Sequence, residues 1–118
     1  FLLFLLFPFL RALSGDRAAL ESAYRDIFAA RKNQCGQCLW NDAALIIGKI
    51  TEAEFLSQPE KSRVVSRLHL VKAMRFDLDG DKARARELYS KWQALKYHEK
   101  SDEVVIKEFV VWRLAELK

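Results

Sequence analysis

The sequence predicts an all-α chain of antiparallel helical hairpins stacked side by side, and three observations carry that expectation. Gly15, Gly48 and Gly80 lie 33 and 32 residues apart, each two places after an aliphatic residue, Leu13, Ile46 and Leu78. A period of this length is the signature of helix-turn-helix units, each too small to bury its apolar face except against a neighbour. Between the glycines, apolar residues recur at helical intervals: Leu20, Ala23, Tyr24, Ile27 and Phe28 follow the i, i+3, i+4, i+7, i+8 pattern of one buried face. Two of the glycines are followed at once by aspartate, Asp16 and Asp81. That pairing joins a left-handed helix end to an N-cap for the next helix.

The first ten residues, Phe1 to Leu10, carry no polar side chain, and Arg11-Ala12-Leu13-Ser14 follows. Two readings compete for this run. As a secretory signal it supplies an apolar core, with Ala12-Leu13-Ser14 as a small-x-small cleavage pattern before Gly15, although a basic leading region is missing. As a buried first helix it places Pro8 mid-helix on an all-apolar cylinder, a poor surface element. Residues 1–14 are therefore expected to be a signal peptide or an apolar N-terminal helix, and residues 15–118 a single helical-repeat domain. The expected location is periplasmic or secreted, or membrane-anchored through residues 1–14 if these are uncleaved. About ten apolar residues are too few to span a bilayer. The chain also begins without methionine, and its apolar last segment ends at Lys118 without a polar cap, so a piece of a longer array is a further expectation.

From Arg17 the second helix runs to about Lys32. A short helix from Cys38 to Ile47 follows and is closed by Gly48. Thr51-Glu52-Ala53-Glu54 has capping-box chemistry and starts a brief helix through Phe55 and Leu56. Pro59 stops that helix and fits the first turn of the next, expected from about Glu60 to Leu78 with Val64, Leu68, Val71 and Leu78 along one side. After the Gly80-Asp81 turn, a helix from Lys82 to about Lys96 is expected to bury Ala85, Leu88, Tyr89, Trp92 and Leu95. Ser101 caps a last helix to about Leu117. Its β-branched run, Val104, Val105, Ile106, Val110 and Val111, leaves a strand open on propensity, whereas its basic end, Arg113 and Lys118, fits helix polarity.

At an offset of 65, Leu13, Gly15, Asp16, Ala18 and Tyr24 match Leu78, Gly80, Asp81, Ala83 and Tyr89. The middle unit is degenerate, with Lys49 for the aspartate, Ser57 for the tyrosine and a second helix truncated by Pro59. Ser66 to Tyr97 resembles a tetratricopeptide repeat at Ala73, Phe76, Gly80-Asp81, Ala85 and Tyr89. It departs from that family at His69, Trp92 and Tyr97, where tryptophan, alanine and proline are preferred. The resemblance implies a short right-handed solenoid, completed by a C-terminal packing helix, whose first helices line a concave surface for a protein or peptide partner. On that mapping the exposed positions are Cys35, Cys38, Asp42 and Leu45, then Arg67, Leu70, Met74 and Asp77. Asp42 and Met74 stand where chaperone-binding members need asparagine, so capture of a chaperone's terminal carboxylate is not implied.

Chemistry is sparse. Lys and Arg number 20 against 16 acids, and the two signs interleave. The densest basic stretch, Lys61, Arg63, Arg67, Lys72 and Arg75, scatters around its helix at about 100° per residue, so no nucleic acid is expected. Cys35-Gly36-Gln37-Cys38 could be a local disulfide or a redox pair acidified by a helix N-terminus. It follows a helix rather than a strand, and Gln34 replaces the tryptophan that usually flanks thioredoxin-like sites. His69 and His98 lie far from any compact zinc spacing. Asp77 to Asp81 has its glycine one place early for a calcium loop, with Leu88 where a bidentate glutamate belongs. No serine has a base-bearing motif and no glycine-rich phosphate loop occurs. Neither cofactor nor metal is expected. The reading is a non-catalytic protein-protein interaction module; the alternative is a thiol-disulfide protein using Cys35 and Cys38.

Overall fold

The computed structural model describes residues 5–29, 37–57, 64–96 and 104–118. These residues form seven helices: α1 (Phe7–Leu13), α2 (Arg17–Ala29), α3 (Gln37–Ile46), α4 (Glu52–Leu56), α5 (Val64–Leu78), α6 (Lys82–Ala94) and α7 (Val104–Glu116). Among the described residues there is no strand. The β-branched run of α7 is helical because Ile106, Phe109 and Val110 form an i, i+3, i+4 face that packs on α6, and tertiary burial outweighs propensity. The expected role of Pro59 in opening α5 lies outside the described residues.

The three spaced glycines build the same turn three times. Gly15, Gly48 and Gly80 have φ of 105°, 80° and 85°, the left-handed region that costs a residue with a Cβ about 1–2 kcal/mol. Each glycine amide donates to the carbonyl three residues back: Gly15 to Ala12 at 3.0 Å, Gly48 to Leu45 at 3.1 Å, Gly80 to Asp77 at 3.1 Å. The next amide reaches five residues back: Asp16 to Arg11 at 2.9 Å, Lys49 to Ala44 at 2.7 Å, Asp81 to Phe76 at 2.9 Å. This double closure is the Schellman motif. The following helix then starts on a side-chain cap, with Asp16 Oδ1 accepting from the Ala19 amide at 3.1 Å and Asp81 Oδ1 from the Arg84 amide at 3.2 Å. The middle unit lacks that aspartate and instead starts α4 two residues later on the Thr51 and Glu54 capping box.

Helices α1, α3, α4 and α6 all pack on α5. Of the expected row, Val64, Leu68 and Val71 are buried and Leu78 is half-buried. Also buried is a second row, Ser66, Leu70, Ala73 and Asp77, which about 100° per residue places on the opposite side. A helix buried on two faces has little amphipathic contrast, so its sequence shows only the more apolar row.

Helix α1 also lies inside the fold. Leu5, Leu6 and Phe9 are buried in the common core, and Leu5 offers its carbonyl to the Tyr24 hydroxyl at 3.1 Å. Pro8 falls in the first turn of α1 rather than its middle, where a missing N–H disturbs no helical bond. Phe9 meets Phe109 of α7 edge-on at 5.9 Å, and Phe109 meets Tyr89 of α6 at 5.7 Å. The first and last hairpins are thus joined by contacts that an open row of units would not make. The radius of gyration, 13.4 Å, agrees with the roughly 13.5 Å that compact-domain scaling gives for this length.

One difference among the turns is testable. Beyond Gly15 and Gly80 a Cβ would meet nothing, whereas at Gly48 it would collide with the Arg75 guanidinium, which donates to the Leu45 carbonyl at 3.2 Å. In urea unfolding, Gly15→Ala and Gly80→Ala should each cost about 1 kcal/mol. Gly48→Ala should cost about 1 kcal/mol more, through displacement of that hydrogen bond. In an Arg75→Met background the excess at Gly48 should vanish.

Candidate functional site

The residues mapped to an exposed concave face are mostly internal. Asp42 and Met74 are fully buried, Leu70 and Asp77 nearly so, and Leu45 likewise; only Arg67 reaches solvent, with about a quarter of its side chain exposed. The expectation of an open concave surface at these positions is corrected. The reason is the packing of α1 and α3 on α5, which covers the faces that the repeat mapping leaves open. Cys35 lies outside the described residues. Cys38 is the second residue of α3, and its side chain is not among those described.

Two of these positions carry buried charge. Asp77 accepts from Arg113 through both guanidinium edge nitrogens, Nε to Oδ2 and Nη2 to Oδ1, each at 2.8 Å, and from the Tyr89 hydroxyl at 3.0 Å. The carboxylate is therefore satisfied on both oxygens by groups from α6 and α7, and the cluster fastens the end of α5 to both helices. Burial first, then the neighbouring Asp77 charge and its hydrogen bond, push the Tyr89 phenol well above its ordinary value. Tyr89 is a fixed donor here and not a titrating group. Removing Arg113 would leave a buried carboxylate short of its counter-ion, a class of change that costs about 3–5 kcal/mol.

The second cluster is less complete. Asp42 Oδ2 receives Arg67 Nε at 2.6 Å and lies within ion-pair distance of Arg67 Nη2, so α3 is fastened to α5. Its other oxygen, Oδ1, is buried with no hydrogen-bond partner among the described residues, and the same holds for Nδ2 of the preceding residue, Asn41. Burial raises the carboxyl's pKa above the usual carboxylate range, and Arg67 pulls it back only in part. The Asp42 charge in turn adds to the effect of burial in raising the Tyr24 phenol.

No group of three metal-ligating side chains occurs among the described residues. His69 is partly buried; that burial first, then Lys91 and Lys72, lower its pKa. The Asp77, Arg113 and Tyr89 cluster was not expected from the sequence, although a signal existed: Asp77 continues the row Leu70, Ala73 at helical spacing. Nothing local marked Arg113 as its partner, 36 residues away. No described helix is long and apolar enough to cross a membrane. Compared with protein-family models, with curated proteins and with solved structures, the chain matches none.

The pH response of Asp42 follows from its geometry. With the folded pKa above the unfolded one, the folded protein holds a proton where the unfolded chain has released it, so this group's contribution falls as pH rises through that window. Lowering pH from about 7 towards about 4, the unfolded range for aspartate, should stabilise the wild type relative to Asp42→Asn in urea titrations. A flat difference across that range would contradict the burial account.

Proposed function

We propose that the chain is a set of three helical hairpins, akin to tetratricopeptide repeats in its turns but closed upon itself, and that it serves as a non-catalytic protein interaction module. The three Schellman glycines at one spacing support the repeat reading. So does the pairing of α1 with α2, α3 with α4 and α5 with α6. With Asp42, Leu70, Met74 and Asp77 internal, the partner surface moves from α5 to the outward side of α7.

The observation that carries the reading is exposure on α7. Val104, Val111 and Trp112 are 69%, 55% and 45% exposed, while Ile106, Phe109 and Val110 of the same helix are buried. A helix apolar on two sides has the character of an internal member of a helical stack, each unit of which is covered by the next. The occupant that fits is an amphipathic helix of a protein partner, laid against α7 and continuing the stack.

A periplasmic, secreted or membrane-proximal location remains part of the proposal, with a structural corollary. Cleavage after Ser14 would take Leu5, Leu6 and Phe9 from the core, so an exported form with this fold retains residues 1–14.

A photo-crosslinking amino acid placed at Val111 should attach covalently to a discrete protein in cells. At Val65, which is 58% exposed on α5, it should not. Equal labelling from both positions, or none from Val111, would contradict the α7 surface.

A further inference from the structure

A recess lies in the degenerate middle unit, against α5. It sits between the Gly48 to Glu52 segment and α5, with a volume of about 400 Å³. Leu45, Ile50 and Phe76 supply apolar wall, and Glu52, Lys72 and Arg75 supply the charge.

Arg75 is held at one nitrogen only. Its Nη1 donates to the Leu45 carbonyl, while Nε and Nη2 have no hydrogen-bond partner among the described residues. Gly48 brings bare backbone against the guanidinium at a point where any Cβ would intrude, so the turn seats the arginine without a side chain in the way. Lys72 Nζ is paired with Glu52 Oε2 at 2.9 Å, and both remain partly exposed. Elsewhere in this protein the same Nε and Nη2 edge holds a carboxylate: Arg113 grips Asp77 with it, and Arg67 grips Asp42. On Arg75 that edge has no such partner among the described residues, and Arg75 lines the recess.

We propose that this recess binds a small monocarboxylate with an apolar body, its two oxygens on Nε and Nη2 of Arg75 and its hydrocarbon against Leu45, Ile50 and Phe76. The parallel N–H pair of a guanidinium edge matches the two oxygens of a carboxylate in spacing and direction. Charge selects the class further. Lys72 and Arg75 against Glu52 leave a net charge of +1 on the lining, which a monoanion neutralises. A phosphate dianion would put surplus negative charge beside Glu52, and like charge at short range is unfavourable. This inference is independent of the α7 surface.

The test is a titration of the full chain with sodium hexanoate, followed by the backbone amides of Gly48 and Ile50 and by the Arg75 Nε–H resonance. Saturable shifts at all three are expected, with none from hexanamide at equal concentration and with phosphate at least about tenfold weaker. Arg75→Lys removes the fork but keeps the charge, and should weaken hexanoate about tenfold. Should that variant fail to fold, Lys72→Met should weaken hexanoate several-fold with the fork intact, and Glu52→Gln should narrow the gap between hexanoate and phosphate. Absence of a saturable Arg75 Nε–H shift overturns the proposal. Equal response to hexanamide, or phosphate binding as tight as hexanoate, does so too.

Discussion

Burial of α5 on two opposite faces is the constraint on which the rest of the structure depends. One row, Val64, Leu68 and Val71, and the other, Ser66, Leu70, Ala73 and Asp77, both lie out of solvent, so α5 needs cover on both sides at once. The helices before and after it in its own hairpin neighbourhood, α3, α4 and α6, supply part of that cover, and α1 supplies more by crossing to α5. From that crossing follow the contact of Phe9 with Phe109 and the compact shape. The internal position of residues that a repeat mapping places on an open surface has the same origin.

Charge is handled differently inside and outside this core. Surface pairs such as Arg17 with Glu21 and Lys91 with Glu87 are solvent-screened and contribute on the order of 0–1 kcal/mol each. The two internal pairs matter through the consequences of breaking them, because a stranded buried charge is far costlier than a lost surface pair. They are unequal. Asp77 has both oxygens met by donors, whereas Asp42 keeps one buried oxygen without a partner among the described residues. A satisfied cluster fixes α5, α6 and α7 as one body, while the unsatisfied one makes the α3 to α5 contact the more pH-sensitive joint.

Features governed by neighbours in sequence were legible; those governed by distant packing were not. Gly15, Gly48 and Gly80 announced their turns because a left-handed helix end depends on one residue and its immediate hydrogen bonds. Asp16, Asp81 and the Thr51 to Glu54 box announced three helix starts for the same reason. The single-face stripes of α2 and α6 were readable from Leu20, Tyr24 and Ile27 and from Ala85, Leu88 and Tyr89. Helix α5 was only half readable, since Asp77 and Ser66 are polar letters in buried places and their partners stand elsewhere in the chain. The placement of α1 turned on contacts to Phe109 and Tyr24, which no local pattern in ten apolar residues encodes. The recess beside Gly48 lies between the loop that opens α4 and the far end of α5, and no local motif marks a space walled by segments so distant in sequence.

The central claim is that the hairpins close, with α1 lying against the body formed by α5, α6 and α7. Side-chain nuclear Overhauser effects in the full chain, assigned through selectively labelled phenylalanine and tyrosine, test it most directly. The closed fold predicts cross-peaks from the Phe9 ring to the Phe109 ring and from Phe109 to Tyr89, together with a solvent-protected Tyr24 hydroxyl. Cross-peaks of Phe9 to α2 alone, with Phe109 open to a soluble paramagnetic probe, would contradict closure and return the molecule to an open row of hairpins.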